Sequence, residues 1–249
     1  MKSILISDLH LCPQRPDLLT AFHQFLNELS DDVNELFILG DLFETWLGDD
    51  DTSDFAQNIQ TALKQVHHRN ILTYFQAGNR DFLVGKRFAH STGMTLLDDI
   101  TTQTIQNQRV LLMHGDLLCT DDVHYQRFRK RIQSPVIKTL LTSLPLSLRQ
   151  KMARKLRQQT RIASSKKADH IMDVNAQTVQ ECIAEQRTDI LIHGHTHRPG
   201  VEQLTTSIGD ATRYTLGDWD TNIWWLEITS DNEINLESET VRSINNRAH

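Results

Sequence analysis

Residues 38–46, I-L-G-D-L-F-E-T-W, decide the fold, because a short apolar strand ends there at a Gly-Asp pair. In an α/β sheet, ligands bind at the carboxyl ends of the strands. Glycine lets the backbone turn sharply, so that the side chain after it points into the crevice. We therefore predict that Asp41 belongs to a binding or catalytic site.

Four other apolar, strand-like runs end in the same way, each followed at once by polar residues. The loops have the sequences D-L-H at 8–10, G-N-R-D at 78–81, H-G-D at 114–116 and H-G-H-T-H at 193–197. Since ligand loops follow the carboxyl ends of strands, we expect all five in one place. The sequence thus predicts one site built from five strand-end loops.

The composition is that of a soluble α/β protein. With 249 residues the chain can bury a substantial core, and 39% hydrophobic and 23% charged residues are ordinary proportions. The net charge of -6 argues against general nucleic-acid binding. No apolar run approaches the length of a membrane span or of a signal peptide, and the three cysteines follow no pattern. These features predict a cytosolic protein.

Apolar periodicity predicts strands and helices in alternation over much of the chain. The tail, residues 201–241, alternates in the manner of antiparallel strands that close a second sheet. The pattern favours an α/β fold of two packed sheets flanked by helices. The predicted strands cover residues 3–7, 36–39, 71–76, 94–97, 102–105, 110–113 and 190–193, and the predicted helices cover 18–29, 55–66 and 171–184.

Residues 123–167 differ in kind from the rest of the chain. They contain thirteen of the 26 Lys and Arg residues, no Asp or Glu, and many leucines. We interpret them as helices inserted between sheet strands. Leucines beside a basic tract that includes Arg149 and Arg154 favour contact with an anionic membrane surface. The alternative is a solvated basic helix that packs its leucines on the core.

The five loops supply the ligand types that a pair of divalent metal ions requires. Such a centre needs carboxylates and imidazoles, one group that bridges the ions, and an open position for water. Asp8 and His10 are alternate residues after a strand, and their side chains point the same way if the backbone remains extended. His195 and His197 have the same spacing.

Three further residues complete the predicted ligand set. Asp41 can bridge two ions because a carboxylate has two oxygens, Asn79 offers a neutral amide oxygen, and His114 directly follows a strand. Any one of these residues alone is better explained as a turn former or a satisfied polar group. Seven ligands in this order favour a dinuclear metal site.

The order of these motifs, from D-x-H at residue 8 to G-H-T-H at residue 197, resembles the calcineurin-like metallophosphoesterase superfamily. The finer motifs D-L-H-L, G-N-R-D-F-L, M-H-G-D-x-L-C-T-D-D, I-M-D-V-N and I-H-G-H-T-H-R-P resemble one branch of it, the UDP-2,3-diacylglucosamine pyrophosphatases of lipid A biosynthesis. The resemblance implies a four-layer fold, a single domain over residues 1–249 and a helical cap inserted at residues 121–168. We expect a monomer.

The resemblance also implies a reaction. Water activated by two divalent ions, with manganese the expected metal, would attack the α-phosphorus of UDP-2,3-diacylglucosamine, giving UMP and 2,3-diacylglucosamine 1-phosphate. The enzyme would associate peripherally with the cytoplasmic face of the inner membrane. One ion would be held by Asp8, His10, Asp41 and His197, and the other by Asp41, Asn79, His114 and His195.

Catalytic roles beyond the ions would fall to Arg80, Asn79 and His195. In the branch that the sequence resembles, the cap holds the acylated sugar. Thr160 and Ser164 stand where the branch is expected to have serine and asparagine, which leaves the sugar contacts at these two positions open. The implied substrate contacts are Asn79, Arg80, Asp122, Tyr125, Arg157, Thr160, Ser164, Lys167 and His195.

Arg80 occupies the position where the superfamily commonly has a histidine that protonates the leaving group. An arginine, with a pKa above about 12, does not donate a proton usefully, but its planar fork binds phosphate oxygens. A phosphate leaving group, with a second pKa of about 6, departs as an anion without protonation. Arg80 therefore favours cleavage of a pyrophosphate bond. The alternative is a structural ion pair of Arg80 with Asp81 or Asp116.

Two other functions are compatible with the sequence. A related metallophosphoesterase would act on a soluble nucleotide diphosphate and use the cap for another group. A non-catalytic module would bind a phospholipid or a protein, although a scaffold freed from catalysis need not keep all seven ligands. Glu44, in the loop after Asp41, is a candidate for orienting a metal ligand.

Overall fold

A computed structural model describes residues 1–164 and 173–247, with the backbone alone for residues 157–164. A short 3₁₀ turn covers Asp116–Leu118. In the described part of the chain the strands are β1 (Lys2–Ile6), β2 (Val33–Leu39), β3 (Leu72–Gln76), β4 (Met94–Leu97), β5 (Ile100–Ile105), β6 (Gln108–Met113), β7 (Ile190–His193), β8 (Gly200–Thr206), β9 (Gly209–Thr215), β10 (Asn222–Thr229) and β11 (Ile234–Thr240). The α-helices are α1 (Pro16–Glu28), α2 (Asp54–His68), α3 (Lys86–Thr92), α4 (Val123–Ile132), α5 (Pro135–Ser143), α6 (Leu146–Ser164), α7 (Ala176–Gln186) and α8 (Val241–Asn246).

The strands form two mixed sheets. The first has the order β11-β10-β1-β2-β3-β4, and the second has the order β5-β6-β7-β9-β8. Strands β1 to β4 run parallel, as do β6, β7 and β9, so their carboxyl ends lie along common edges. Two mixed sheets with flanking helices confirm the predicted fold class.

The core lies in layers on both faces of the sheets. Leu5 and Phe37 from the first sheet pack against Leu112 and Ile192 from the second. Helices α1 and α2 cover the outer face of the first sheet, and α7 covers the second. Residues 4–6 of β1 and 36–39 of β2 are all buried, and these parts of the strands are continuous apolar runs rather than alternating ones.

Two of the predicted elements were wrong in detail. In the tail, only β8 and β9 belong to the second sheet, whereas β10 pairs with β1 and, with β11, extends the first. Alternation predicts a strand but does not specify its partner. Helix α7 begins at Ala176 rather than at residue 171, because Asn175 caps it by accepting the Thr178 N–H at 3.0 Å. Residues 171–172 lie outside the described residues.

Helices α4, α5 and α6 lie in the chain between β6 and β7, as predicted for an insertion between sheet strands. Pro135 opens α5 and Pro145 directly precedes α6, which are positions where proline suits a helix. The predicted cap boundaries, residues 121–168, run past residue 164 and stay a prediction. Among the described helices, none is long and apolar enough to cross a bilayer.

Candidate metal centre

The five strand-end loops meet where the carboxyl ends of β1, β2, β3, β6 and β7 come together. Backbone hydrogen bonds join the first two loops, with Asp8 N donating to Gly40 O at 3.1 Å and His10 N donating to Asp41 O at 2.9 Å. The two sheets are joined as well, because His195 N donates to Asp8 Oδ2 at 2.8 Å. These hydrogen bonds, two between backbone groups and one to the Asp8 carboxylate, therefore join the first, second and fifth loops.

The ligand side chains converge in two groups. Asp8, His10 and His197 offer ligand atoms within 4.8 Å of one another, and so do Asp8, Asp41 and His114. In the first group, His197 Nε2 lies 3.4 Å from Asp8 Oδ1 and 3.2 Å from His10 Nε2. The first group thus contains three of the four ligands predicted for one ion, and the second group contains two of the four predicted for the other.

Two carboxylates lie between the groups. Asp8 belongs to both, and Asp41 Oδ2 lies 4.0 Å from His10 Nδ1 and 3.8 Å from His114 Nε2. The amide oxygen of Asn79 is 3.1 Å from His114 Nε2. Either carboxylate therefore has the position of a shared ligand, and the bridging role of Asp41 stays a prediction.

His195 lies beside these groups, and within the described ranges it belongs to neither. Its ring centroid is 5.0 Å from that of His114 and 6.3 Å from that of Tyr125. Burial, together with the positive charge of His114, lowers the pKa of His195 to about 4. The ring is therefore neutral near pH 7, as a metal ligand must be.

The donor set fits two divalent ions. Asp8 Oδ1 and His10 Nδ1 are buried, and neither has a hydrogen-bond partner in the chain described over 1–164 and 173–247. Buried polar atoms are normally hydrogen-bonded, so orphaned ligand atoms facing one crevice need another partner. Carboxylates with imidazoles suit borderline divalent metals.

The pKa shifts of Asp41 and His114 also indicate a site for divalent ions. Burial, together with the Asp81 and Asp8 carboxylates, raises the pKa of Asp41 to about 7, against the effect of His114. Burial opposes the ionisation of His114, but Asp41 and Asp8 outweigh it and raise the pKa of His114 to about 9. The carboxylates thus concentrate negative charge, and divalent ions would replace the protons that otherwise compensate it.

The ligand loops are not extended, which contradicts the expectation for D-x-H and H-x-H. The φ angle is 55° at Asp8 and 49° at His10, and it is 71° at His195 and 56° at His197. These are left-handed conformations, which cost a non-glycine residue roughly 1–3 kcal/mol each. The side chains of each pair still point into the same crevice, because both residues of the pair have the left-handed backbone conformation. Asp41, with φ 52°, has the same conformation.

Gly40 allows two of the loops to approach closely. Its φ is +85°, and a Cβ there would lie 2.6 Å from His114 Nδ1 and 2.7 Å from the backbone of Gly78. Glycine is thus required for both conformation and space. Gly40 therefore allows the loop that carries Asp41 to lie close to the loops that carry Asn79 and His114.

Comparison with known proteins gives the family. Residues 1–199 match the family model for calcineurin-like phosphoesterases. The chain belongs to that family. It is 43% identical over 247 residues to a UDP-2,3-diacylglucosamine hydrolase from Tolumonas auensis, covering 99% of this chain and 100% of that one.

Two further relatives bear the same name. One, from Azotobacter vinelandii, is 45% identical over 228 residues, covering 92% of this chain and 95% of the relative. The other, from Escherichia coli, is 42% identical over 231 residues, covering 93% and 96%. The calcineurin-like phosphoesterase described here is therefore a metal-dependent hydrolase of this branch.

Arg80 stands at the edge of the phosphoesterase centre with 33% of its side chain exposed. Its Nε lies 3.4 Å from Asp41 Oδ2, and its Nη1 pairs with the Glu44 carboxylate. The alternative pairing with Asp81 or Asp116 was wrong. Glu44 also lies 3.5 Å from His10 Nδ1, so it contacts both a predicted ligand and Arg80.

Asp81 and Asp116 have structural partners of their own. Asp81 accepts the N–H groups of Leu42 and Gly78, each at 2.8 Å, and so joins the second and third loops. Asp116 accepts from Arg129 Nε and from the Tyr125 hydroxyl, each at 2.6 Å. Both carboxylates are buried and stabilise loops that carry ligands.

The predicted substrate contacts in α4 have protein partners. Asp122 caps the helix by accepting the Tyr125 N–H at 3.0 Å, and Tyr125 lies beside the ring of His195. Tyr125 is therefore beside the site, Asp122 caps the helix that carries it, and contact of either residue with substrate stays a prediction. The side chains of Arg157, Thr160, Ser164 and Lys167 lie outside those described, so their roles stay predictions too.

Arg149 was wrongly assigned to a membrane-facing basic tract. Its side chain is 2% exposed, donates to Leu144 O at 3.0 Å and to Leu47 O, and pairs with Asp50. It therefore attaches α6 to the loop that follows Asp41. Arg154, one helical turn further, is exposed as predicted.

The sequence analysis missed one residue that contacts a predicted ligand. Asp218 lies in the connection that follows β9, and its Oδ2 is 3.3 Å from His197 Nδ1. Residues 215–218, T-L-G-D, repeat the strand-Gly-Asp pattern of residues 38–41, I-L-G-D. That repetition is the signal in the sequence that could have identified Asp218.

Proposed function

We propose that this phosphoesterase hydrolyses the pyrophosphate bond of UDP-2,3-diacylglucosamine by attack of water at the α-phosphorus. The products are UMP and 2,3-diacylglucosamine 1-phosphate, and the step belongs to lipid A biosynthesis. The names of the relatives at 42% to 45% identity support the substrate. The observation that carries the proposal is Arg80, an arginine fork beside Asp41 where a general acid would otherwise stand.

The proposed metal ligands are the seven strand-end residues. When bound, two divalent ions lower the pKa of the attacking water and screen the phosphate charge. We propose manganese as the metal. Asp8, His10, Asp41 and His197 would hold one ion, and Asp41, Asn79, His114 and His195 would hold the other.

Arg80 binds the non-bridging oxygens of the diphosphate in this proposal. A guanidinium has five N–H donors, and the contacts with Glu44 and Asp41 involve only Nη1 and Nε. The leaving group is a phosphate that departs as an anion, so no residue needs to protonate it. Asn79 and His195 steady the phosphoryl group while charge develops on it.

The helices α4 to α6 are proposed to form a cap, residues 121–168, that holds the acyl chains. Their apolar side chains face outward, with Val136 76% exposed, Leu140 56% and Met152 46%. An apolar surface of this kind on a basic segment suits a lipid substrate and an anionic membrane surface. We propose a monomer that associates peripherally with the cytoplasmic face of the inner membrane.

Hydrolysis in oxygen-18 water tests the reaction. Incubation of the manganese-loaded enzyme with UDP-2,3-diacylglucosamine should place the label in UMP, and mass spectrometry of both products measures it. Label in the lipid phosphate would contradict attack at the α-phosphorus. The deacylated UDP-sugar is the control, and its turnover at equal efficiency would replace the lipid substrate with a soluble nucleotide diphosphate.

A further inference from the structure

Asp218 lies in the connection between β9 and β10, beyond residues 1–199 that match the family. This connection is bonded to two ligand loops. Trp219 N donates to Asp8 O at 3.0 Å, and Leu216 N donates to His193 O at 2.8 Å. Since β9 runs parallel to β7, Asp218 is delivered at the same sheet edge as His197.

The two ring nitrogens of His197 face different partners. Nε2 faces the predicted ligands, 3.4 Å from Asp8 Oδ1 and 3.2 Å from His10 Nε2. Nδ1 faces Asp218 Oδ2 at 3.3 Å. A neutral imidazole carries its proton on one nitrogen and a lone pair on the other. A carboxylate at Nδ1 holds the proton there and leaves the Nε2 lone pair directed at the centre.

We propose that Asp218 is a positioning residue for the metal centre, which fixes the ring orientation and tautomer of His197 so that Nε2 binds the ion shared with Asp8 and His10. The inference rests on the metal ligands proposed above. It places the C-terminal connection between β9 and β10 in the active site, as a support for one of the two ions.

The same connection contains a matched control. Asp220, two residues further, has 64% of its side chain exposed and pairs with Arg15 Nη1 at 2.7 Å on the surface. Replacing either aspartate by alanine removes one negative charge from the same short segment. Of these two aspartates, only Asp218 contacts a predicted ligand. Comparing the two alanine variants therefore distinguishes an effect on His197 from an effect of the lost charge.

Manganese titration of the full chain after chelation tests the inference. The parent and Asp220→Ala should bind two ions with equal affinity. Asp218→Ala should bind one ion as the parent does and the other about 10–100-fold more weakly, the usual loss when such a partner is removed. Asp218→Asn keeps an acceptor oxygen without the charge and should give an intermediate affinity. Circular dichroism confirms that each variant is folded.

The outcomes distinguish this inference from the proposed function. If the parent binds two ions and the folded Asp218→Ala matches Asp220→Ala, the role of Asp218 is wrong and the metal centre stands. If the parent binds no pair of ions, the metal centre itself is wrong. Should Asp218→Ala fail to fold, Asp218→Asn decides: parental affinity for both ions contradicts the role, and a selective loss at one ion supports it.

Discussion

The helices α4 to α6, called here the cap helices, bury charged side chains as the metal centre does, but they also expose apolar ones. In the centre, Asp8 and Asp41 are buried within loops that backbone hydrogen bonds join. In the cap helices, Arg149 is 2% exposed while Val136 is 76% exposed. Hydrogen bonds between loops therefore hold the centre together, whereas buried arginines such as Arg129 and Arg149 help to attach the cap helices.

This difference has a physical basis. A buried carboxylate needs compensating groups, and the centre supplies them from loops that hydrogen bonds join. Among the described residues, the contacts of the cap helices with the phosphoesterase core include Arg129 with Asp116 and Arg149 with Asp50. Changes in the centre should therefore affect chemistry and metal content, and changes in the cap helices should affect attachment or lipid contact.

The largest effect is expected for Asp41→Ala. Because Asp41 lies between both ligand groups, its loss should reduce binding of both ions and lower turnover by at least roughly 10³-fold. Metal analysis of the purified protein measures the ion content, and His10→Ala, which should weaken mainly one ion, is the comparison. Equal metal content in Asp41→Ala and the parent would remove Asp41 as the shared ligand.

A smaller loss is expected for Arg80→Ala, in which kcat should fall roughly 10²–10³-fold while metal content stays unchanged. Arg80→Lys should recover only part of the activity, because an ammonium keeps the charge without the fork. Arg87→Ala, an exposed arginine in α3, is the matched control. Unchanged turnover of metal-loaded Arg80→Ala would show that no phosphate clamp operates there.

Arg149→Ala should loosen the cap helices without changing the metal centre. The Asp50 carboxylate is about half exposed, so we expect a loss of about 1–3 kcal/mol, less than for a fully buried pair. Amide hydrogen exchange across residues 146–156 should accelerate. Arg154→Ala in the same helix should leave exchange unchanged, and equal exchange in the two variants would contradict attachment through Arg149.

The smallest effect on stability is expected for the exposed apolar residues of the cap helices. The double change Val136→Ser and Leu140→Ser should alter the free energy of unfolding by less than about 0.5 kcal/mol. Binding to vesicles of anionic phospholipid should nevertheless weaken several-fold. Ile208→Ser, at an equally exposed residue in the β8–β9 hairpin, is the control. Equal binding by both variants would argue that the cap helices do not contact the membrane.

The centre could be predicted from the sequence because its signals are local. Each ligand follows its own strand directly, so an apolar run and the next few residues were enough to find Asp8, Asp41 and His114. The left-handed backbone at these residues could not be predicted, because non-glycine residues rarely adopt it without support from neighbouring loops. The hydrogen bonds that supply this support join residues distant in the chain, such as Asp8 and Gly40.

The remaining features depend on tertiary structure. The burial of Arg149 depends on a loop about one hundred residues earlier, and composition alone cannot distinguish a buried arginine from a membrane-facing one. The contact of Asp218 with His197 required knowing that β9 lies beside β7. Strand β10 pairs with β1, and β11 pairs with β10. This pairing depends on which sheet edge is available, and alternation along a strand does not specify that edge.

The predicted metal ligands come from both sheets, and this has a consequence for the stability of the fold. His10 Nε2 and His197 Nε2 are 3.2 Å apart although 187 positions separate them in the chain. An ion held by both residues acts as a reversible cross-link that closes a loop spanning most of the protein, and its binding energy adds to the stability of the folded state. The concentration of free metal would then govern how often the two sheets separate at this edge, independently of any turnover.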